Sequence, residues 1–307
     1  MRIHVDTDFA GDTDDACAVA FVLGAGGVEL TGITTVADPD GRRAGYLDHF
    51  LRLAGRVVET AAGAGRSLTT GGEMGGLPDH ATYWGSADVP PRPGPVGAAV
   101  ELLAASVEAG ATIVAIGPYT NLGLLEAARP GLLATASVVL MGGWTTPPRP
   151  GLPQWGPDKD WNVQCDTAAA ATVFREAGEV TLVMLPATLD AHLRRRDLDR
   201  LAVGGPVGRL LARQAAAHGD EHDMGALGRA HPGLPDDLLN FQYDAAACAV
   251  AAEMGVATLE ELVLAPTIDG GVLRFEERPD GRPARVTTAI DGDALGEAWL
   301  ASVERLG

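Results

Sequence analysis

The chain has 307 residues, of which 46% are hydrophobic and 21% charged, and its formal net charge is −18. This composition is typical of a soluble globular protein with a large core. The acidic excess argues against a nucleic-acid or anionic-membrane partner, since both require a basic surface. Three widely spaced cysteines without a CxxC pair, no signal-peptide core and no long apolar run predict a cytoplasmic protein that does not cross a membrane.

Short β-type runs alternate with longer helix-type runs, which is typical of an α/β fold with a mostly parallel sheet. The pattern predicts strands over residues 2–5, 28–36, 56–60, 112–116, 136–141, 180–185, 262–264, 271–275 and 285–290. It predicts helices over residues 14–23, 41–54, 96–108, 121–128, 166–177, 197–217, 238–254 and from 294 onward. We therefore expect a single domain over residues 1–307, with a Rossmann-like central sheet flanked by helices.

Three irregular segments rich in glycine or aspartate interrupt this pattern at residues 65–95, 142–159 and 218–237. Long loops in compact domains are commonly functional. Open α/β sheets bind ligands at the carboxyl ends of their strands, so we expect these loops to gather around a site there.

The densest chemical signal directly follows the first strand. Residues 6–15 are DTDFAGDTDD, and five carboxylates in ten residues repel one another unless a cation neutralises them. An N-cap and the helix N-terminus account for only part of this charge. Oxygen ligands without nearby Cys or His favour Ca²⁺ or Mg²⁺ over Zn²⁺. The alternative is a solvated acidic turn with an N-cap.

Two other metal patterns fit less well. An EF-hand loop starting at Asp6 would place Ala10 and Cys17 at ligand positions, so it fails. The haloacid-dehalogenase phosphatase pattern also opens with Asp-x-Asp after the first strand. The sequence Phe9-Ala10 and the near-absence of lysine leave it a weak alternative.

Several segments together resemble the inosine–uridine-type nucleoside hydrolases. Asp6-Thr7-Asp8 and Asp14-Asp15-Ala16 match the two ends of the family's N-terminal fingerprint, with two extra residues between them. The other matching segments are VAIGPYTNL at 114–122, MGG at 141–143, DWNVQCD at 160–166 and FQYDA at 241–245. The match therefore extends along most of the chain.

The resemblance implies a Ca²⁺-dependent enzyme that hydrolyses the N-glycosidic bond of ribonucleosides to ribose and free base. The implied metal ligands are Asp8, Asp15, the main-chain carbonyl of Ile116 and Asp244. Asp8 is also the implied general base for the attacking water. The implied ribose contacts are Asp14, Asp160 and Asn162, and either Asp40 or Asp38 is expected to contact the base or the ribose. The role of Asp12, in the longer acidic loop, stays open.

The leaving-group end departs from the family pattern. Tyr243 stands where many members carry a histidine that protonates the base, and Trp84 approximately matches a second histidine position. Two aromatic residues at these places resemble the purine-specific branch, so we expect Trp84 and Tyr243 to flank a purine. His222 or His231, on a mobile loop, is a further candidate for the general acid.

His218 and His222 have the spacing of metal ligands on a helix, but Gly219 between them favours a solvated loop. We expect a homodimer or homotetramer. The alternatives are a pyrimidine, non-specific or specialised-metabolite nucleoside hydrolase and, from another class, a catalytically silent Ca²⁺- and sugar-binding protein.

Overall fold

A computed structural model describes all residues from 1 to 307. The strands are β1 (Arg2–Thr7), β2 (Glu29–Thr35), β3 (Thr60–Ala62), β4 (Thr112–Ala115), β5 (Ser137–Met141), β6 (Glu179–Val183), β7 (His192–Arg194), β8 (Leu238–Phe241), β9 (Ala257–Asp269), β10 (Val272–Glu277) and β11 (Arg282–Ile290). The longer helices are α1 (Asp14–Gly24), α2 (Arg42–Leu53), α4 (Val96–Glu108), α5 (Thr120–Ala128), α7 (Thr167–Glu176), α10 (Gly205–Glu221), α12 (Tyr243–Ala251) and α13 (Gly292–Glu304). The shorter ones are α3 (His80–Trp84), α6 (Trp161–Cys165), α8 (Leu185–Thr188), α9 (Leu198–Val203) and α11 (Met224–Ala230).

Nine strands form one sheet in the order β10-β9-β11-β6-β5-β4-β1-β2-β3. The seven strands from β11 to β3 pair in parallel, and β9 and β10 extend the sheet with antiparallel pairing. A second, two-stranded sheet pairs β7 with β8. The predicted single α/β domain with a mostly parallel central sheet is confirmed.

The buried strands and helices build one main apolar core. Its cluster contains 74 buried residues, and β5 (SVVLM) is buried at four of five positions, as is typical of parallel strands covered on both faces. Helix α1 is buried along almost its whole length and packs against α12 and α13. None of the helices is long and apolar enough to cross a membrane.

Strand β1 lies inside the sheet, between β4 and β2, where the chain order reverses. The connections from β1 lead to β2 and β3 on one side, and β4, β5 and β6 follow on the other. The loops after β1 and β4 therefore diverge and leave a crevice at the carboxyl edge. This crevice is where the acidic loop lies.

Four sequence predictions need correction. The third strand is residues 60–62 rather than 56–60, because only these residues register with β2, and Val57 is fully exposed. Residues 238–241, predicted as the start of a helix, form β8 because they pair with β7. The segment 218–237, predicted to be irregular, contains the end of α10, up to Glu221, and the whole of α11. Strand β9 has 13 residues, far longer than the predicted 262–264.

A buried polar chain ties β1 to its neighbours. The ring of His4 is fully buried, with Nδ1 2.8 Å from Ser106 Oγ and Nε2 3.0 Å from Thr34 Oγ1. The Thr34 hydroxyl in turn donates to the Asp6 carboxylate, 2.5 Å away. Burial lowers the pKa of His4 to about 3, so the folded protein holds a neutral imidazole.

We predict that His4 makes the fold sensitive to acid. An unfolded histidine takes up a proton near pH 6.5, whereas folded His4 does so only near pH 3, so stability falls as pH drops through this window. The loss is about 2 kcal/mol between pH 7.5 and pH 5. Urea unfolding of wild type and His4→Gln at both pH values measures it. The prediction is wrong if the two proteins lose the same stability.

Candidate active site

A cavity of about 630 Å³ opens at the carboxyl ends of β1, β4, β5 and β6. It brings together most of the residues that the sequence predicted for the site: Asp8, Asp14, Asp15, Ile116, Asp160, Asn162, His222, Tyr243 and Asp244. Asp12 also lines it. The predicted substrate contacts Asp40 and Trp84 are not among its lining residues.

The acidic loop between β1 and α1 supplies one wall of the cavity. Asp8 follows β1, while Asp14 and Asp15 occupy the first turn of α1, where the helix N-terminus favours negative charge. The loop packs so closely on the turn after β4 that a Cβ at Gly117 would lie 2.7 Å from the Asp8 main-chain nitrogen. Glycine is therefore required at position 117.

Asp244 reaches the same cavity from a distant part of the chain. It lies in the first turn of α12 and is 3% exposed. Burial, and then the charges of neighbouring aspartates, raise the pKa values of Asp14, Asp15 and Asp244 well above the usual range. None of these carboxylates forms an ion pair with an arginine, lysine or histidine.

These carboxylates fit a bound metal ion. Oxygen atoms of Asp12, Asp14 and Asp15 lie within 4.8 Å of one another. Burying like charges without cationic partners is costly, and a hard divalent cation removes that cost. The donor set is made of oxygens alone, which suits such a cation.

Asp12, in the two-residue-longer loop, has joined this group. It is half-buried, and one of its oxygens accepts hydrogen bonds from the Asp14 main-chain nitrogen at 2.7 Å and from Asn240 Nδ2 at 3.4 Å. Its carboxylate therefore helps to shape the first turn of α1.

Two of the residues predicted to contact ribose, Asp160 and Asn162, also line the cavity. Asp160 is buried and accepts hydrogen bonds from the main-chain nitrogens of Gly143 at 2.6 Å and Val163 at 3.2 Å. Burial raises its pKa to about 6, although both bonds oppose the shift. Asn162 donates to the main-chain carbonyls of Ile116 and Met141, at 3.2 and 3.1 Å. Asp160 is thus held at the cavity by main-chain contacts.

Sequence reasoning missed Arg43, which lines the cavity and is 3% exposed. No motif marks it, because its role depends on loops that are distant in sequence. It also missed Trp155 and Trp161. Trp161 is 53% exposed, and its indole nitrogen lies 3.2 Å from Asp8 Oδ2. Trp155 packs on Phe241, as does Tyr243.

His218 does not lie in a solvated loop, and that expectation was wrong. It is 8% exposed on α10, and its ring centroid lies 4.4 Å from that of His222, which is at the C-cap. Gly219 does not break the helix. A Cβ there would meet a Leu239 side-chain carbon at 2.5 Å, so glycine lets α10 pack against β8. His231 is absent from the cavity lining.

The structure does not place Trp84 where it could stack on a base. The segment predicted as loop forms the short helix α3, which turns Trp84 inward until it is 5% exposed. Its ring stacks on Tyr46, with centroids 4.4 Å apart, and also contacts Phe9 and His49. Trp84 is therefore an anchor for α3.

Neither aspartate after β2 lines the cavity. Asp40 is exposed, and its carboxylate lies 3.3 Å from the Arg42 main-chain nitrogen. Asp38 is buried and accepts hydrogen bonds from the main-chain nitrogens of Arg43 and Ala44, both at 2.9 Å. Both carboxylates therefore accept hydrogen bonds from main-chain nitrogens at the start of α2. The position of Asp40 does not fit the expected contact with the substrate.

Fold and site together define an α/β enzyme with a carboxylate-lined cavity at the switch point of its sheet. The chain belongs to the inosine-uridine preferring nucleoside hydrolase family, whose model matches residues 3–297. It is thus a nucleoside hydrolase, an enzyme that acts on N-glycosyl bonds. The family resemblance seen in the sequence is confirmed.

Individual relatives differ in the substrates that their names give. A pyrimidine-specific ribonucleoside hydrolase, RihA, from Salmonella schwarzengrund is 31% identical over 225 residues, or 69% of this chain and 70% of that protein. A purine-preferring ribonucleoside hydrolase from Gardnerella vaginalis matches the fold with a TM-score of 0.79 and 21% identity, covering 100% and 99% of the two chains. An inosine-uridine preferring nucleoside hydrolase from Bacillus anthracis has a TM-score of 0.71 and 19% identity, covering 98% and 99%.

We predict that Trp84→Ala destabilises the protein without changing substrate preference. Removing a buried tryptophan leaves a cavity that costs about 3–5 kcal/mol. Urea unfolding should show this loss, while kcat/KM for inosine and for uridine should fall by the same factor at a temperature where the variant is folded. A larger fall in kcat/KM for inosine than for uridine would show that Trp84 contacts the base and contradict the prediction.

Proposed function

We propose that this enzyme hydrolyses the N-glycosidic bond of ribonucleosides in a Ca²⁺-dependent reaction, with a preference for purines. The observation that carries the proposal is the convergence in one cavity of Asp8, just after β1, and Asp15, in the first turn of α1, with Asp244, from the distant start of α12. Their burial without ion-pair partners supports a divalent cation, and the all-oxygen donors support calcium. Asp14, Asp160 and Asn162 line the same cavity, and their polar side chains suit the hydroxyl groups of a sugar.

The residues proposed to hold the ion are Asp8, Asp15, Asp244 and the main-chain carbonyl of Ile116. When bound, Ca²⁺ would neutralise the cluster and coordinate hydroxyl and water oxygens. Asn162 already donates to the Ile116 carbonyl, so it fixes the direction of that oxygen. Asp14 and Asp160 would accept hydrogen bonds from the ribose hydroxyls.

Asp8 is the proposed general base. Burial, foremost, raises its pKa, with the charge of Arg43 opposing the shift, and a carboxylate of raised pKa is a better proton acceptor. It takes a proton from water as the oxygen attacks the anomeric carbon and the bond to the base nitrogen breaks. The surrounding carboxylates stabilise the positive charge that develops on the ribosyl ring.

The departing base needs a proton, and Tyr243 and His222 both line the cavity. Burial raises the pKa of the Tyr243 phenol well above its usual range, which makes it a poor donor at neutral pH. We therefore assign proton donation to His222, which is exposed at the C-cap of α10 and lines the cavity. Tyr243 would contact the base.

Because Trp84 is buried away from the cavity, the proposed purine preference depends on Trp155 and Tyr243. Both are half-buried, both line the cavity, and both pack on Phe241, with ring centroids 5.7 and 5.3 Å away. A larger purine offers more surface to such aromatic walls. Pyrimidine specificity is the alternative, and the RihA relative supports it. The homodimer or homotetramer and the cytoplasmic location stay predictions.

We predict that turnover requires Ca²⁺. Incubating the protein with a panel of purine and pyrimidine ribonucleosides should release free ribose, and exhaustive chelation should abolish the release because the cluster loses its counter-ion. Adding Ca²⁺ back should restore it. Ribose release by protein shown by elemental analysis to be metal-free would refute calcium dependence. Metal binding without any ribose release would favour the silent sugar-binding protein.

We predict that Asp8→Asn lowers kcat about 10²–10⁴-fold with little change in KM, since loss of a general base typically has this effect. Asp15→Asn is the matched control, because it removes a proposed ligand but not the base. Saturating Ca²⁺ should restore much of the activity of Asp15→Asn and little of that of Asp8→Asn. If Asp8→Asn keeps more than a tenth of kcat, the base lies elsewhere.

We predict that Trp155→Ala lowers kcat/KM for inosine about 2- to 10-fold more than for uridine, because one aromatic contact to the larger base is lost. Trp84→Ala serves as the control, since its ring is buried away from the cavity. Steady-state kinetics with both nucleosides measures the ratio. Equal losses in Trp155→Ala, or a wild type that prefers uridine, would contradict the purine assignment.

A further inference from the structure

Arg43 is the one arginine that lines the cavity, and it is buried. Its guanidinium makes hydrogen bonds to main-chain carbonyl oxygens: Nε to Ala37 at 2.8 Å, Nη1 to Asp8 and to Phe9 (the latter at 3.0 Å), and Nη2 to Gly76 at 3.0 Å. A buried arginine is ordinarily paired with a carboxylate. The guanidinium of Arg43 instead donates its hydrogen bonds to the main chain of three loops.

Two of these loops close tightly on the guanidinium. A Cβ at Gly11 would lie 3.2 Å from Nη1, and a Cβ at Gly75 would lie 3.1 Å from Nη2. Gly75 also has a positive φ of 64°, which favours glycine. The acidic loop and the 74–76 segment thus pack closely around Arg43, and a side chain at Gly11 or Gly75 would crowd its guanidinium.

We propose that Arg43 is a positioning residue that holds the Asp8–Phe9 backbone, and through it the Asp8 carboxylate, in the arrangement that binds the metal ion. This inference rests on the proposed function of the site. The two carbonyl contacts fix the peptide planes on either side of Phe9. The contacts with Ala37 and Gly76 fix the guanidinium itself, so the acidic loop is set before the ion arrives.

Arg43 has two effects on a metal ion, and they have opposite signs. Its positive charge repels a divalent cation, so removing the charge alone should tighten metal binding. Its hydrogen bonds pre-organise the ligands, so removing them should weaken binding, typically 10- to 100-fold for residues that orient ligands. We infer that the second effect is larger, because the guanidinium contacts both carbonyls of the segment that carries Asp8.

The test compares Arg43→Lys, Arg43→Met and the control Arg42→Met. Lysine keeps the charge but cannot make the forked set of contacts, and methionine removes both. The exposed Arg42 is on the same turn of α2, so its variant removes one charge without touching the loops. Calorimetric titration of each metal-stripped protein with Ca²⁺, at a temperature where circular dichroism shows it folded, gives the Kd.

We expect both Arg43 variants to bind Ca²⁺ at least about tenfold more weakly and to lose kcat, while Arg42→Met binds as wild type does. Tighter binding by Arg43→Met with unchanged binding by Arg43→Lys would show that the charge dominates and overturn the proposal. A lower Tm with an unchanged Kd in both variants would show a merely structural role and also overturn it.

A second measurement does not depend on the metal or on turnover. Hydrogen exchange of the metal-free proteins should show faster exchange of the main-chain amides of residues 8–13 in both Arg43 variants and not in Arg42→Met. Unchanged exchange there would overturn the positioning role. A wild type that binds Ca²⁺ but hydrolyses no nucleoside would refute the proposed function, while the exchange and Kd comparisons would still decide the role of Arg43.

Discussion

The electrostatic repulsion among buried carboxylates is the constraint on which the rest of the site depends. Asp14, Asp15 and Asp244 are each less than a tenth exposed, and their pKa values are raised by burial and by one another. The fold offsets part of this cost by placing all three in the first turns of α1 and α12, where main-chain N–H groups point toward them. A bound cation would remove the rest of this electrostatic cost.

The sheet explains why these groups can meet at all. Asp8 leaves β1 and Ile116 leaves β4 at the point where neighbouring strands connect in opposite directions, so their loops part and open a cavity. Gly117 allows the two loops to touch, and Arg43 joins the acidic loop to the turn after β2. The sheet therefore brings the loops of the site together, and the guanidinium of Arg43 connects them through hydrogen bonds.

The two ends of the cavity are constrained to different degrees. The residues proposed to hold the metal ion and the ribose are buried and held by main-chain contacts, which leave them little freedom. The residues proposed to contact the departing base are Trp155, Tyr243 and His222, of which the first two are half-buried and the last is exposed. Relatives of this chain include enzymes named for pyrimidine and for purine substrates. Substitution of the more exposed residues, without change to the proposed ribose contacts, would be a physical route to such a difference.

The amino-acid sequence by itself determined the α/β class, most of the strands and helices, and the carboxylates of the site, because alternation of apolar periods and a dense run of aspartates are local signals. It misplaced Trp84, since the direction of that side chain depends on how α3 packs on Tyr46. It took Gly219 for a helix breaker, although the glycine permits the close approach of α10 to Leu239. It gave no sign of Arg43, whose partners come from three loops and lie up to 35 residues from it in sequence. Only the tertiary structure decided these points, because each depends on which backbone atoms lie next to a side chain rather than on the residues beside it in the chain.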